Sequence, residues 1–373
     1  MCIMCGSSAY TGNETGIYID QAFVCRIKDT LYNGRVDMLH KVIQHLTRNK
    51  HLLNEAIKYP FLNQVIHLSK NFRPLTDDEQ NAAIDTVLSS EVYDRVKDEE
   101  MKQDPNYEYV EVLVKQLLRW FKEEFFTWVN KLDCPNCGNK EQEQIRHLPG
   151  LRPYKYEHFQ GKATIIERYQ CLKCLSTYEF PRYNDIRTLL KTRKGRCGEW
   201  NNCFIAILKS LDIDTRFIWN AEDHVWCEYY NEREGRWIHL DSCENSYDQP
   251  YLYNEGWGKK MSYTFAIGPN YIIDVSDKYL SPNRPENHLP RNKCPEVSLK
   301  GILAHHNAQS ILASSKDTIL RTTSQLIADL MNARGKVHPV HTETTSTNEG
   351  ASLLPRQSGA GAWTRQRGED NNE

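Results

Sequence analysis

Three observations predict an α+β fold. Apolar residues recur at helical spacing through the first third of the chain, aromatic-rich alternating strands dominate from Arg216 to about Val275, and two Cys-x-x-Cys knuckles lie between. Helical spacing covers 36–49 and 51–67, and Asp77-Asp78-Glu79 supplies an acidic first turn for a helix running to about Asp94. A long amphipathic helix follows, with Val110, Val114, Leu117, Leu118, Phe121, Phe125 and Trp128 on one face. Tyr263 to Ile267 and Tyr271 to Val275 read as strands. Beyond Gly301 the pattern weakens to a helical stretch at 315–331, and from Gly335 a Thr-, Ser-, Gly- and Asn-rich tail reads as disordered.

The whole-chain numbers bound the compartment and the partners. Twelve cysteines without a secretory signal point to a reducing compartment, so the chain is expected in the cytoplasm, with the nucleus also open to it. No stretch approaches the length of a membrane span. A net charge of -2 gives no global steering toward nucleic acid or anionic lipid. The knuckles Cys134-Pro-Asn-Cys137 and Cys171-Leu-Lys-Cys174 read as one structural zinc site of four thiolates, a closed sphere with no position left for water. Cys2 and Cys5 form a third pair that lacks further ligands, and Cys227, Cys243 and Cys294 read as plain reduced thiols.

The chemistry concentrates at Gly195-Arg-Cys-Gly-Glu-Trp200. The apolar positions Trp200, Phe204, Ile207, Leu208 and Leu211 place Cys197 at a helix N-terminus, where the dipole favours a thiolate. Cys203, one turn on, reads as an ordinary buried thiol. Downstream, 223–230 and 236–241 read as a hairpin. With Asn231 to Glu234 as a four-residue loop, His224 lies directly across from Asp241 and His239 across from Trp226. A one-residue slip would separate His224 and Asp241 onto opposite faces. Nucleophile, base and orienting carboxylate are thus Cys197, His224 and Asp241, with His239 the second-ranked base.

These motifs, with Asp223-His-Val-Trp226-Cys-Glu228 and His239-Leu-Asp-Ser-Cys-Glu244, resemble the cytoplasmic peptide:N-glycanases of the transglutaminase-like superfamily over roughly residues 30–280. The tail segments Arg356-Gln-Ser-Gly and Trp363 to Arg367 also resemble the ends of that family. The resemblance implies a papain-like, transglutaminase-like cysteine hydrolase core. It further implies cleavage of the asparagine–N-acetylglucosamine amide on misfolded glycoproteins, in support of proteasomal degradation. Glu244 would contact sugar, Trp226 and Trp257 would stack on sugar rings, and Trp128 would join the Cys197 backbone N–H as oxyanion donor. A ubiquitin-like shuttle protein is the implied partner. Cross-linking by the same three groups, and a scaffold role without catalysis, are the rival readings. The resulting division is an extension at 1–30, a helical lobe at 31–131, a zinc region at 132–182, a catalytic core at 183–280, a wrap and helix at 281–334, and the tail at 335–373.

Overall fold

The computed structural model describes residues 58–332, apart from 103 and 105. The extension, the helix at 36–49, the first seven residues of 51–67, the cysteines at 2, 5 and 25 and the tail lie outside them. The described helices begin with α1 (Pro60–His67), led by proline in the first turn. In α2 (Asp77–Leu88) Thr76 and Glu79 close a reciprocal capping box. The helix expected to reach Asp94 stops early, because the Ser89 and Ser90 hydroxyls donate to the carbonyls of Thr86 and Val87. A separate α3 (Val92–Glu100) follows.

The long amphipathic helix is also shorter than its stripe. α4 (Tyr109–Trp120) starts on the Glu108 carboxylate and buries Leu113, Val114, Leu117 and Leu118. It then widens into a π turn, Phe121–Phe125, closed by Phe126 N–H donating to Phe121 C=O at 2.9 Å. Phe121 stacks on Phe126 and meets Trp200 and Phe204 edge-on, which fixes the turn against the core. The chain leaves extended, so Trp128 sits on a two-residue strand, β1 (Thr127–Trp128), and not on a helix.

Three antiparallel strands, β2 (Ile145–Leu151), β3 (Ile166–Cys171) and β4 (Thr177–Pro181), form a small sheet in that order, with α5 (Tyr156–Gln160) in the first connection. α6 (Ile186–Thr192) leads to β5 (Lys194–Gly195), which pairs parallel to β1. Next comes α7 (Cys197–Ser210), burying Trp200, Cys203, Phe204, Ile207 and Leu208.

The main sheet is antiparallel throughout. It contains β6 (Thr215–Asn220), β7 (His224–Asn231), β8 (Arg236–Asp241), β9 (Ser246–Tyr247), β10 (Thr264–Ile267) and β11 (Ile272–Asp274), in the order β11-β10-β6-β7-β8-β9. Alternation divides it into two faces. Phe217, Cys227, Tyr229, Ile238 and Leu240 join the large core with α7, while Ile218, Trp226 and Ala266 pack with Tyr253, Met261 and Tyr279. A short α8 (Ser276–Tyr279), α9 (Glu296–Leu312) and α10 (Lys316–Asn332) complete the order, the last close to the expected 315–331. None of the described helices is long and apolar enough to cross a membrane.

On the second face lies a buried charge cluster. Glu228 accepts from Arg216, from Lys278 at 2.5 Å and from the Tyr279 hydroxyl, and Arg216 also binds Asp329 of α10 at 2.6 Å. Burial opposes ionisation of Glu228, yet these cations hold its carboxyl down at about 2. Glu228→Ala would leave the buried Arg216 with one counter-charge fewer. A loss of about 3–5 kcal/mol in unfolding free energy is expected, read by urea denaturation.

Candidate active site

The hairpin register decides the geometry. Asn231 pairs with Arg236 as the last rung, so the loop is 232–235, with Gly235 at φ +62 and the Asn231 side chain accepting from Glu234 N–H. The loop is therefore one residue later than expected, and opposed positions move by two. Cys227 pairs with Leu240 and Glu228 with His239, so His224 is a diagonal neighbour of Asp241 and not its direct partner. An even shift preserves the face. His224 Nε2 lies 2.9 Å from Asp241 Oδ2, both side chains essentially sealed from solvent.

Asp241 is gripped from three directions. Oδ2 also accepts from the Tyr253 hydroxyl at 2.9 Å, and Oδ1 accepts from Cys243 N–H at 2.8 Å. Burial pushes this carboxyl up, but the His224 hydrogen bond and charge outweigh it and hold it below the usual range. For His224, burial alone would lower the value. The Asp241 hydrogen bond and the neighbouring Cys197 sulfur outweigh burial and raise it to about 9. His224 Nδ1 is buried without a hydrogen-bond partner by geometry, and the Cys197 sulfur is a close neighbour of the ring.

Cys197 is the first residue of α7 and is half-buried, as the helix pattern predicts. A Cβ added at Gly198 would meet nothing within 4 Å, so the space beside the thiol is open. At Gly195 the same Cβ would fall 2.3 Å from Glu199 Cβ, and only glycine lets the strand pass the first turn of α7. Cys203 is fully buried and its thiol is pushed up by that burial, the inert partner expected.

A second buried ion cluster anchors this turn. Glu167 of β3 forms a fork with Arg196, both contacts at 2.7 Å, and accepts from Arg182 at 2.8 Å. Arg182 in turn forks onto Glu199, whose carboxylate also accepts from Arg196 N–H. Arg196 further donates to the carbonyls of Val129 and Asn130. The residue before Cys197 is thereby tied to the small sheet and to the β1 segment. Arg196 stood inside the Gly-Arg-Cys motif but carried no periodic signal for this role, and Glu167 and Arg182 carried none at all.

The small sheet also carries the four thiols. Cys134, Cys137, Cys171 and Cys174 bring their sulfurs within 4.8 Å of one another, with Cys134–Cys174 at 3.6 Å and Cys137–Cys171 at 3.7 Å. A tetrahedral ion with sulfur at 2.3 Å requires sulfurs about 3.8 Å apart, so the set fits one metal ion. Ser176 Oγ touches Cys134 and Cys174, and Asn139 Nδ2 donates to Cys171, supplying polar support around the sulfurs.

Other expected site residues separate clearly. Trp226 is 1% exposed, packed on Tyr253 and Tyr279, and presents no face to a sugar ring. Trp257 is half-exposed, with its ring 5.3 Å from that of His224. Glu244 lies 3.8 Å from Lys122 and is mostly covered. The Trp128 indole N–H donates to Asn130 Oδ1 at 2.7 Å, so an oxyanion would have to displace Asn130 to use it. His239 Nε2 faces the Tyr253 hydroxyl at 2.8 Å, and burial lowers the imidazole to about 4. As a rival base it is withdrawn: it stands behind the carboxylate, away from the thiol. Tyr253 itself escaped the sequence reading, since it lies in an aperiodic π turn, Leu252–Gly256.

Comparison with known proteins agrees with this architecture. The transglutaminase-like superfamily matches residues 154–242, and the Rad4 transglutaminase-like domain matches 220–294. The fold and the site together define a transglutaminase-like hydrolase. The chain is 40% identical over 292 residues to the peptide-N(4)-(N-acetyl-beta-glucosaminyl)asparagine amidase of Saccharomyces cerevisiae, covering 77% of this chain and 79% of that protein. It is 36% identical over 389 residues to the amidase of the same name from Candida albicans, covering 96% of each. A solved Rad4–Rad23 complex bound to a 6-4 photoproduct UV lesion aligns at TM-score 0.37 and 12% identity, over 81% of this chain and 61% of that chain. The chain belongs to the peptide-N(4)-(N-acetyl-beta-glucosaminyl)asparagine amidase family and is a deglycosylating hydrolase.

Because Glu167 sits on β3, whose last residue is Cys171, disrupting the four-cysteine cluster should disturb the Cys197 turn as well. Cys174→Ser is expected to lower the thermal midpoint and glycan release together, measured by calorimetry and by glycopeptide mass shift.

Proposed function

We propose that Cys197, His224 and Asp241 are the catalytic triad that cleaves the bond between an asparagine side-chain amide and N-acetylglucosamine on misfolded glycoproteins. One observation carries this reading: a sealed His224–Asp241 hydrogen bond of 2.9 Å beside a half-buried thiol at a helix N-terminus. The Cys197 sulfur attacks the amide carbon after its proton passes to His224. The tetrahedral oxyanion takes a hydrogen bond from the Cys197 backbone N–H. His224 then protonates the departing glycosylamine, leaving an acyl-thioester on Cys197. A water deprotonated by His224 hydrolyses the thioester, so asparagine becomes aspartate and the thiol is restored. Asp241 holds the ring and balances its positive charge.

Trp257 beside His224 is the stacking face for a sugar ring, and Glu244 remains the expected sugar contact. The four-cysteine site is proposed to hold one zinc ion with a structural role, since four thiolates leave no open position. A role in degradation of misfolded glycoproteins, a cytoplasmic or nuclear location and a ubiquitin-like shuttle partner follow from the family resemblance and belong to the same proposal.

The wild-type protein should release the glycan from a denatured glycoprotein and leave aspartate in the peptide, and Cys197→Ala should abolish that release. Full glycan release by that variant would overturn the triad. The pH dependence has a definite sign. His224 is raised above its ordinary 6.5, so the stabilisation from its pairing is complete below 6.5 and is lost as pH rises through about 9. The same deprotonation removes the imidazolium that protonates the departing glycosylamine, so the alkaline decline of kcat/KM is expected near pH 9. In Asp241→Asn, which removes the largest raising contribution, that decline should move to lower pH.

A further inference from the structure

Behind the carboxylate lies a second polar chain. Gln249 N–H donates to His239 Nδ1 at 3.2 Å, which makes that nitrogen an acceptor and places the ring proton on Nε2. Nε2–H therefore donates to the Tyr253 oxygen at 2.8 Å, and the Tyr253 hydroxyl is left to donate to Asp241 Oδ2 at 2.9 Å. His239, Tyr253 and Asp241 are all at most 1% exposed. We propose that Tyr253 and His239 are positioning residues of the reaction. They form a one-way hydrogen-bond chain, anchored on the Gln249 backbone, that fixes the carboxylate orienting His224.

The directionality is what distinguishes this chain from an ordinary satisfied core network. Each donor is committed by the one behind it, so the chain can only deliver a proton donor to Asp241, never withdraw one. The Tyr253 ring cannot swing away. It lies 4.3 Å from Trp226, 5.1 Å from Trp257 and 5.1 Å from the His224 ring itself. One aromatic side chain thus packs against the imidazole and hydrogen-bonds the carboxylate that steers it. It reaches both from a π turn, a geometry that re-aims side chains and recurs at functional sites.

The surroundings of the chain bear on its titration. Asp241 faces His224, Tyr253, the Cys243 backbone N–H and the buried thiols of Cys227 and Cys243, and His239 feels Lys278, Glu228 and Asp248. Among these, Tyr253 alone donates a hydroxyl proton to the carboxylate. Its removal disfavours the anion and should move the acid limb of kcat/KM to higher pH.

The inference rests on the triad reading, and the test separates the two. Tyr253→Phe, His239→Leu, His239→Gln and Cys197→Ala are assayed on a denatured N-glycopeptide across pH. Tyr253→Phe is expected to lower kcat about tenfold, the scale of one hydrogen bond to a charged group, with KM unchanged and the acid limb displaced upward. His239→Leu should match it, and His239→Gln, which keeps a donor toward Tyr253, should restore most of the loss. Wild-type kcat and acid limb in both folded Tyr253→Phe and His239→Leu would overturn the proposal. Should Tyr253→Phe fail to fold, equal kcat in His239→Gln and His239→Leu would overturn it instead. An active Cys197→Ala brings down the triad and this chain with it, whereas an inert Cys197→Ala beside an unaffected Tyr253→Phe sinks the chain alone.

Discussion

The structure depends on one shared carboxylate. Glu167 is bound by two guanidinium groups, Arg196 and Arg182, drawn from different parts of the chain, and Glu199 closes the circuit from the first turn of the nucleophile's helix. Burial pushes Glu167 up, but the two cations hold it at about 2, so the cluster keeps its charges at any ordinary pH. A buried pair of this kind contributes modest net stability, since desolvation offsets attraction. What it supplies here is position. Arg196 precedes Cys197 directly, and its side chain is held by Glu167 and by two carbonyls of the 129–130 segment. The place of Cys197 is set by the small sheet, and the four clustered thiols lie at one end of that sheet.

The second determinant is parity along the hairpin. Side chains on a strand repeat every two residues, so the observed register and the expected one put His224 and Asp241 on the same face. The contact forms because a diagonal neighbour on the same face is still within reach of the His224 ring. Trp257 and Tyr253 then pack against the imidazole, with ring centroids 5.3 and 5.1 Å away. Such an enclosed ring keeps its charge through pairing and not through water.

Features with local period or local spacing were legible in the sequence. The helix behind Cys197, the strands from Arg216 onward and the two knuckles follow from local patterns, and the hairpin reading put His224 and Asp241 on one face although its register was two positions off. The ends of α2 and α4 were not, because serine back-bonding and an aromatic π turn interrupt helices whose apolar stripe continues. Trp128 was placed on that stripe and so on the wrong kind of element. Tyr253, Arg182 and Glu167 carried no signal because their partners lie 12 to 29 positions away on other elements, where pairing is settled by the fold. Trp226 was misjudged for a related reason. Strand alternation says which face a ring occupies, and that face is covered by a segment some thirty residues on.

The contact between Arg216 and Asp329 has a consequence for how the molecule is made. Arg216 is sealed in the centre of the main sheet, and one of its two carboxylate partners belongs to the last described helix, over a hundred positions downstream. During synthesis, strands on both sides of that cation leave the ribosome well before Asp329 does. Until then the growing chain holds a positive charge only half balanced. Docking of the last described helix is thus the step that completes the neutralisation of Arg216.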